Sequence, residues 1–371
     1  MAKQNIVIVG GGAAGVAAAK ILLQSLDASQ YQTILINALP YRIWPLASLR
    51  LTVSHETGYQ EQVMLPYDKI FIDGKPGRFV HGTVKSFEAT EDSGKVTLES
   101  GETIEYAFLI LAQGASWSGP PNFPRTESGV KTHINELQTK FSNANDIVLV
   151  GGGAVGYELA GEIKDIWPDK KITIVHGDKL LLNAAYPDKV RLAAEAGLRA
   201  RGVDILLREY IDFAETKEIQ GISTRSGREL KNADFIVQTR GTRPNTEFVA
   251  ASIGAASLNG NGLIRVRPTL QLADYENIFA AGDVIDWKEQ KQFPKARAHG
   301  EIAATNVLAI LQQRPLKSYK GSTEMIVITN GKGGGLSYFD VLWGIMLGNW
   351  FARWAKSKTL MLPAFKDEQG Y

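Results

Sequence analysis

Two copies of one supersecondary unit predict an α/β fold with two Rossmann-type dinucleotide-binding domains and a small C-terminal domain. Three observations carry that prediction. Ile6-Val7-Ile8-Val9-Gly10-Gly11-Gly12-Ala13-Ala14-Gly15 recurs as Ile147-Val148-Leu149-Val150-Gly151-Gly152-Gly153-Ala154-Val155-Gly156. Each copy is an aliphatic run, a GxGxxG turn and an Ala-rich helical stretch, followed by a second aliphatic run at 33–36 or 172–175. Linker-like segments at 116–124 and 241–245 flank the second copy, which implies that one domain is inserted into the other.

The glycines have separate tasks in such a unit. The first (Gly10, Gly151) allows the tight turn, the second (Gly12, Gly153) lets a pyrophosphate approach the backbone, and the third (Gly15, Gly156) packs helix on strand. The helix beginning around Ala14 in the first copy aims N–H donors and its positive dipole end at the phosphates. A lone GxGxxG is often a chance turn; two copies in strand–turn–helix context point to two dinucleotide sites. An acid about 20 residues past the glycines would bind ribose hydroxyls, but Asn37 and His176 close the two second strands. Asn37 still hydrogen-bonds a ribose. His176 carries no fixed negative charge against a 2′-phosphate, and Lys179 is nearby. The alternative is that both merely end strands, so NADH versus NADPH stays open.

A third segment is an aliphatic strand at 277–281 ending in Gly282-Asp283, followed by Pro294 and a helical pattern from Lys295 to about Gln313. A carboxylate there suits a ribityl chain, whose hydroxyls are uncharged donors. The helix N-terminus, with Lys295, would stabilise negative charge on a reduced flavin. The plainer reading is an Asp that ends a strand and caps a turn.

Composition narrows the chemistry. The chain has 371 residues, no cysteine, 44% hydrophobic and 22% charged residues, enough for two or three domains. Without cysteine there is no disulfide, thiolate nucleophile, CxxC pair or thiolate metal site. The five histidines are scattered with no ligand spacing, so no metal is expected, and a net charge of +2 gives no footprint for nucleic acid. The strand at 5–9 leaves no space for a presequence, Ala2 excludes N-myristoylation, and no apolar run reaches membrane-spanning length. A cytoplasmic-side location is the default.

With both fingerprints, Gly282-Asp283, and the strand ends at 109–114 (closing on Gly114) and 235–241 (closing on Gly241), the chain resembles the apoptosis-inducing-factor-like FAD/NAD(P)H oxidoreductases, in the AMID or ferroptosis-suppressor branch. The segments 313–320, 49–53 and 356–358 are the most branch-specific. The resemblance covers nearly the whole chain. It implies a pyridine nucleotide-disulfide reductase-like fold, with FAD bound by residues 1–117 and 243–320, NADH or NADPH by 118–242, and a flavin site completed by 321–371. The reaction it implies is NAD(P)H-dependent reduction of a quinone, and a 6-hydroxy-FAD has been associated with the family.

The resemblance also assigns residues. Glu158 is expected to face nicotinamide and flavin; its alternative role is a carboxylate that favours the helix dipole. Lys356 matches a late lysine that reaches the flavin and pairs with this Glu, or else it joins Arg353 and Lys358 in a solvated basic face. Arg42, Trp44 and Arg50 fall in the loop expected around FAD, where Trp44 either stacks on a ring system or fills core. Val84, at the end of a strand from Arg78, fits a backbone contact to adenine. Hydride transfer needs no acid–base dyad, because the flavin does the redox chemistry while the protein stacks the nicotinamide and excludes water.

The stretch 339–354, with Trp343, Trp350, Phe351 and Trp354, either packs on the chain or a second subunit, the favoured reading, or lies in a membrane interface. The glycine cluster at 331–335 lacks P-loop spacing and reads as a flexible loop. The leading function is an FAD-dependent NAD(P)H:quinone oxidoreductase, monomeric or homodimeric, cytoplasmic or peripheral on a membrane such as the mitochondrial outer membrane or lipid droplets. The alternatives are reduction of a protein electron carrier, and a slow NAD(P)H-sensing or death-signalling flavoprotein that acts through a partner.

Overall fold

The computed structural model describes residues 3–71, 75–90, 92–212 and 221–371. The first unit runs β1 (Gln4–Val9), α1 (Ala13–Ser25), β2 (Tyr31–Asn37), α2 (Ser48–Val53), β3 (Gly77–His81) and β4 (Phe108–Leu111). The second comprises β5 (Asp146–Val150), α3 (Ala154–Ile166), β6 (Lys171–His176), β7 (Val203–Leu207) and β8 (Phe235–Gln238). The chain then returns through β9 (Ile278–Ala280) and α4 (Phe293–Leu311) and ends with β10 (Met325–Thr329), β11 (Gly335–Phe339), β12 (Ile345–Leu347) and α5 (Leu362–Gln369).

The first sheet is parallel, in the order β9-β4-β1-β2-β3, and the second is parallel, in the order β7-β6-β5-β8. In both, the fingerprint strand is interior, between the next strand on one side and the strand that closes the unit on the other. Parallel strands covered on both faces need continuous apolar runs. Ile6, Val7 and Ile8 in β1, and Ile147, Val148 and Leu149 in β5, are fully buried. An antiparallel sheet of β10, β11 and β12 follows.

The segments entering and leaving the second unit lie side by side. Ala115 pairs with Pro244 and Ser116 with Arg243, and Ser116 Oγ donates to Asn245 Oδ1 at 2.6 Å. Leu49 and Val53 of α2 share one apolar core with Leu149 and Ile163 of the second unit and with Ile326 and Ile328 of β10. Three distant stretches of chain thus depend on the same buried surface.

Each fingerprint turn is held by the same two constraints. A Cβ on Gly15 would lie 1.8 Å from Gly10 O, and one on Gly156 2.0 Å from Gly151 O, so only glycine lets helix approach strand. The amide after the first glycine also needs an acceptor, because a buried unpaired N–H is costly. Gly11 N–H donates to Asn37 Oδ1 at 3.0 Å, and Gly152 N–H donates to His176 Nδ1 at 3.1 Å. The two strand-end residues thus do the same work with different chemistry.

A ring nitrogen accepts only while unprotonated. Burial holds His176 below the ordinary imidazole range, with Asp178 opposing and Arg191 assisting. The unfolded chain takes up this proton near the ordinary value of 6.5 while the folded chain resists it, so stability falls as pH drops below that value. His176→Asn, which copies the first repeat, should keep the acceptor and remove the titration. Its loss of Tm between about pH 7 and pH 5 should be smaller than that of the unsubstituted chain. Equal losses would show that another group dominates the acid limb.

Candidate active site

A cavity of about 510 Å³ opens at the C-terminal ends of the strands of the first sheet, where α/β folds bind ligands. Gly10 to Gly12, Asn37, Arg42, Val84 and Gln113 line it. A Cβ built on Gly12 meets nothing within 4 Å, and the same holds at Gly153 in the second unit, so both turns leave their backbone open to an approaching group. Arg42 Nη1 donates to Glu368 Oε2 of α5 at 2.7 Å, while Arg42 Nε and Nη2 are buried without a partner among the described residues. Unpaired guanidinium donors beside an open glycine turn and a helix N-terminus fit the anionic pyrophosphate of FAD.

The other expected first-unit residues take these places. Ala14 is buried in the first turn of α1, close beneath Gly282. Asn37 ends β2, and its Nδ2 donates to Leu39 O at 2.9 Å. Gly114 is left-handed, with φ of +66°, and its carbonyl accepts from Asn245 N–H at 3.0 Å. Val84 does not end the strand that begins near Arg78. That strand stops at His81, and Val84 opens the next, Val84–Ala89, where it lines the cavity. Trp44 fills core, stacked on Phe365 with centroids 4.7 Å apart.

Gly282 and Asp283 follow β9 in a short 3₁₀ turn. Gly282 N–H donates to His299 Nδ1 at 3.3 Å, and His299 Nε2 lies 2.8 Å from Glu289 Oε1. Burial pushes the Asp283 carboxyl above the ordinary carboxylate range, and Lys291 opposes that shift. Lys295, expected to face a reduced flavin, is instead buried and paired with Glu324 at 2.5 Å. A cation in the first turn of α4 opposes the helix dipole, and the Glu324 carboxylate offsets it.

In the second unit His176 Nε2 is buried without a partner among the described residues, beside the open Gly153 turn. With Nδ1 accepting from Gly152, that nitrogen carries the proton, a donor that fits a ribose oxygen. Gly241, the first residue of the returning linker, leaves open space around its Cβ position.

Glu158 is the fifth residue of α3, past the first turn, so a favourable dipole does not account for it. Three donors converge on its Oε1: Lys356 Nζ at 2.6 Å, Thr329 N–H at 3.0 Å and Thr329 Oγ1 at 3.2 Å. Lys356 Nζ also donates to Val327 O at 3.0 Å, so this lysine is buried rather than part of a solvated face. It sits on a π-helical turn, Arg353–Ser357, where Lys358 N–H reaches Arg353 O at 3.2 Å. Single π turns recur at functional sites.

Arg50 corrects an expectation. Its guanidinium does not line the cavity; it grips Glu162 of α3 with Nε–Oε2 at 2.7 Å and Nη2–Oε1 at 2.9 Å. Nη2 also donates to Ser357 O at 2.9 Å. Glu162, Thr329 and Glu324 escaped the sequence reading. Only Glu162 carried a signal there, because it lies four residues from Glu158 and therefore on the same helix face.

One further expectation changes. The glycine cluster is an ordered hairpin turn between β10 and β11: Asn330 N–H donates to Gly334 O at 2.9 Å, and Asp165 accepts from Lys332 N–H. A Cβ on Gly161 of α3 would lie 2.5 Å from Gly331 N and one on Gly335 2.1 Å from Ile328 O, so close approach explains these two glycines. The aromatic tail packs on its own chain only in part: Phe351 lies against Phe339 with centroids 5.8 Å apart, but Leu342 is 75% exposed, Trp343 97%, Trp350 70% and Trp354 77%. Among the described residues no helix is long and apolar enough to cross a membrane.

The family model described as pyridine nucleotide-disulphide oxidoreductase matches residues 4–300. The FAD-dependent oxidoreductase FVFD30 of Flammulina velutipes is 44% identical over 321 residues, spanning 86% of this chain and 99% of the relative. Ferroptosis suppressor protein 1 of Taeniopygia guttata is 30% identical over 367 residues, 96% of this chain and 94% of the relative. The sulfide:quinone oxidoreductase of Aquifex aeolicus shares the fold, with a TM-score of 0.77 at 19% identity over 99% of this chain and 91% of that one. The chain belongs to the pyridine nucleotide-disulphide oxidoreductase family, as a cysteine-free homologue of FAD-dependent oxidoreductases and of ferroptosis suppressor protein 1.

Proposed function

We propose that the chain is an FAD-dependent NAD(P)H:quinone oxidoreductase. The Glu158–Lys356 pair carries this reading, because it joins the helix of the second fingerprint to the C-terminal segment. Bound FAD supplies the two-electron centre that takes a hydride from a nicotinamide and gives electrons to an acceptor. Residues 1–117 and 243–320 hold it, with Arg42 and the Gly12 turn at the pyrophosphate and Asp283 at the ribityl chain. Residues 118–242 hold NADH or NADPH at the Gly153 turn, with His176 donating to a ribose oxygen. Glu158, fixed by Thr329 and Lys356, orients the nicotinamide, and Lys356 keeps a proton at Nζ beside it.

A quinone suits the acceptor role because the chain has no thiol to relay electrons, so the acceptor must come to the site itself. A lipophilic quinone also suits the exposed tail. Leu342 and Trp343 stand on a tip at φ of +48° and +67°, a backbone region unfavourable for such residues. Exposed aromatics at a strained tip match an interfacial anchor, so we place the protein peripherally on a membrane.

Anaerobic stopped-flow spectroscopy tests the reading. Glu158→Gln should slow flavin reduction by NADH by about tenfold or more, and an unchanged rate would remove Glu158 from the site. The reduced wild-type protein should be reoxidised rapidly by a short-chain quinone. A reduced complex that ignores quinones would favour the sensing role instead. Co-sedimentation with phosphatidylcholine vesicles should fall on Trp343→Ser; vesicles that never retain the intact protein would end the membrane placement.

A further inference from the structure

Helix α3 turns two carboxylates toward the same C-terminal segment. Glu158 holds the side chain of Lys356. One turn later Glu162 holds Arg50 from α2, in a pair whose side chains are both almost wholly buried. The guanidinium then reaches past Glu162 to the backbone of the segment that carries Lys356. Arg50 Nη2 donates to Ser357 O at 2.9 Å and Nη1 to Lys358 O at 3.5 Å. These carbonyls belong to the two residues that follow Lys356, where the π-helical turn ends. The 357 and 358 carbonyls stand at the C-terminal end of this helical segment, where backbone acceptors have no intrahelical donor and need one from outside.

We infer that Arg50 and Glu162 are positioning residues for Lys356: the pair anchors the carbonyls of the π turn and so aims the Lys356 ammonium at Glu158. The fork of Arg50 is essential to this. Two nitrogens take the two oxygens of Glu162 while the outer hydrogens of the same group reach the turn, which a point-charge ammonium cannot do. The inference rests on the reading of Glu158 and Lys356 as the active-site pair, but its test reports geometry alone.

Arg50→Lys keeps a positive charge for Glu162 and gives up the grip on the turn. The full-length, FAD-loaded protein is exposed briefly to a limiting amine-acetylating reagent, and modification at each lysine is read by peptide mass spectrometry. Lys164 and Lys170, held by backbone carbonyls elsewhere in the second unit, serve as internal references for general loosening. In the folded variant Lys356 should be acetylated about tenfold faster than in wild type, with Lys164 and Lys170 unchanged. An unchanged Lys356 rate would overturn the inference. So would equal acceleration at all three lysines, since that reports only a weaker fold.

If Arg50→Lys does not fold, the paired replacement of Arg50→Met with Glu162→Leu removes both buried charges together and is judged by the same outcomes. Failure here leaves the effect of Glu158→Gln on hydride transfer untouched, so the two readings are separable.

Discussion

The buried grip of Glu162 on Arg50 is the contact on which the other arrangements lean. It draws α2, α3 and the turn at 353–357 to one point, and the apolar core shared by Leu49, Leu149 and Ile328 surrounds that point. Magnitudes separate it from the other ion pairs. Removing one partner of a buried pair costs about 3–5 kcal/mol, because the remaining charge is stranded in low dielectric. A solvated pair such as Lys95–Glu88 contributes about 0–1 kcal/mol. Against a typical stability of about 5–15 kcal/mol, only the first kind can decide how domains meet. Burial pushes Glu162 upward and the Arg50 guanidinium opposes that shift, so the carboxylate stays useful only while its partner is present.

The internal repeat shows how one physical need admits different residues. Both fingerprints place a buried amide where a strand-end side chain must accept it. Asn37 meets that need with an amide oxygen and turns its nitrogen to Leu39 O. His176 meets it with a ring nitrogen, while its second ring nitrogen has no partner among the described residues. The first unit is thereby closed on itself, and the second retains a donor beside its open glycine. A third buried amide, at Gly282, is accepted by His299 after β9.

What the sequence revealed was local or periodic. The two GxGxxG turns, the strands before and after them, and the linker-like segments at 116–124 and 241–245 all follow from short-range rules of steric fit, apolar run length and turn composition. The meeting of Lys356 with Glu158 was foreseeable only through family resemblance, because 198 positions separate them and no spacing rule connects them. Arg50 and Lys295 were misjudged for a related reason. Both looked like free cations near a ligand, and each is committed to a distant carboxylate, Glu162 or Glu324. The glycine-rich run at 331–335 suggested mobility, whereas a Cβ on Gly331 would meet the Asp165 side chain of α3 and one on Gly335 would lie 2.1 Å from Ile328 O. The tail's aromatic content pointed to packing on this chain or on a second subunit, or to a membrane interface, and on the chain itself Trp343 and Trp354 are exposed.

The account depends most directly on hydride reaching a flavin held by this chain. Anaerobic titration of the purified, FAD-loaded protein with NADH, followed by the flavin absorbance band, measures that step in isolation from any acceptor. The account predicts complete bleaching at about one NADH per flavin, in keeping with two-electron transfer. A band that persists under excess NADH and excess NADPH would contradict it.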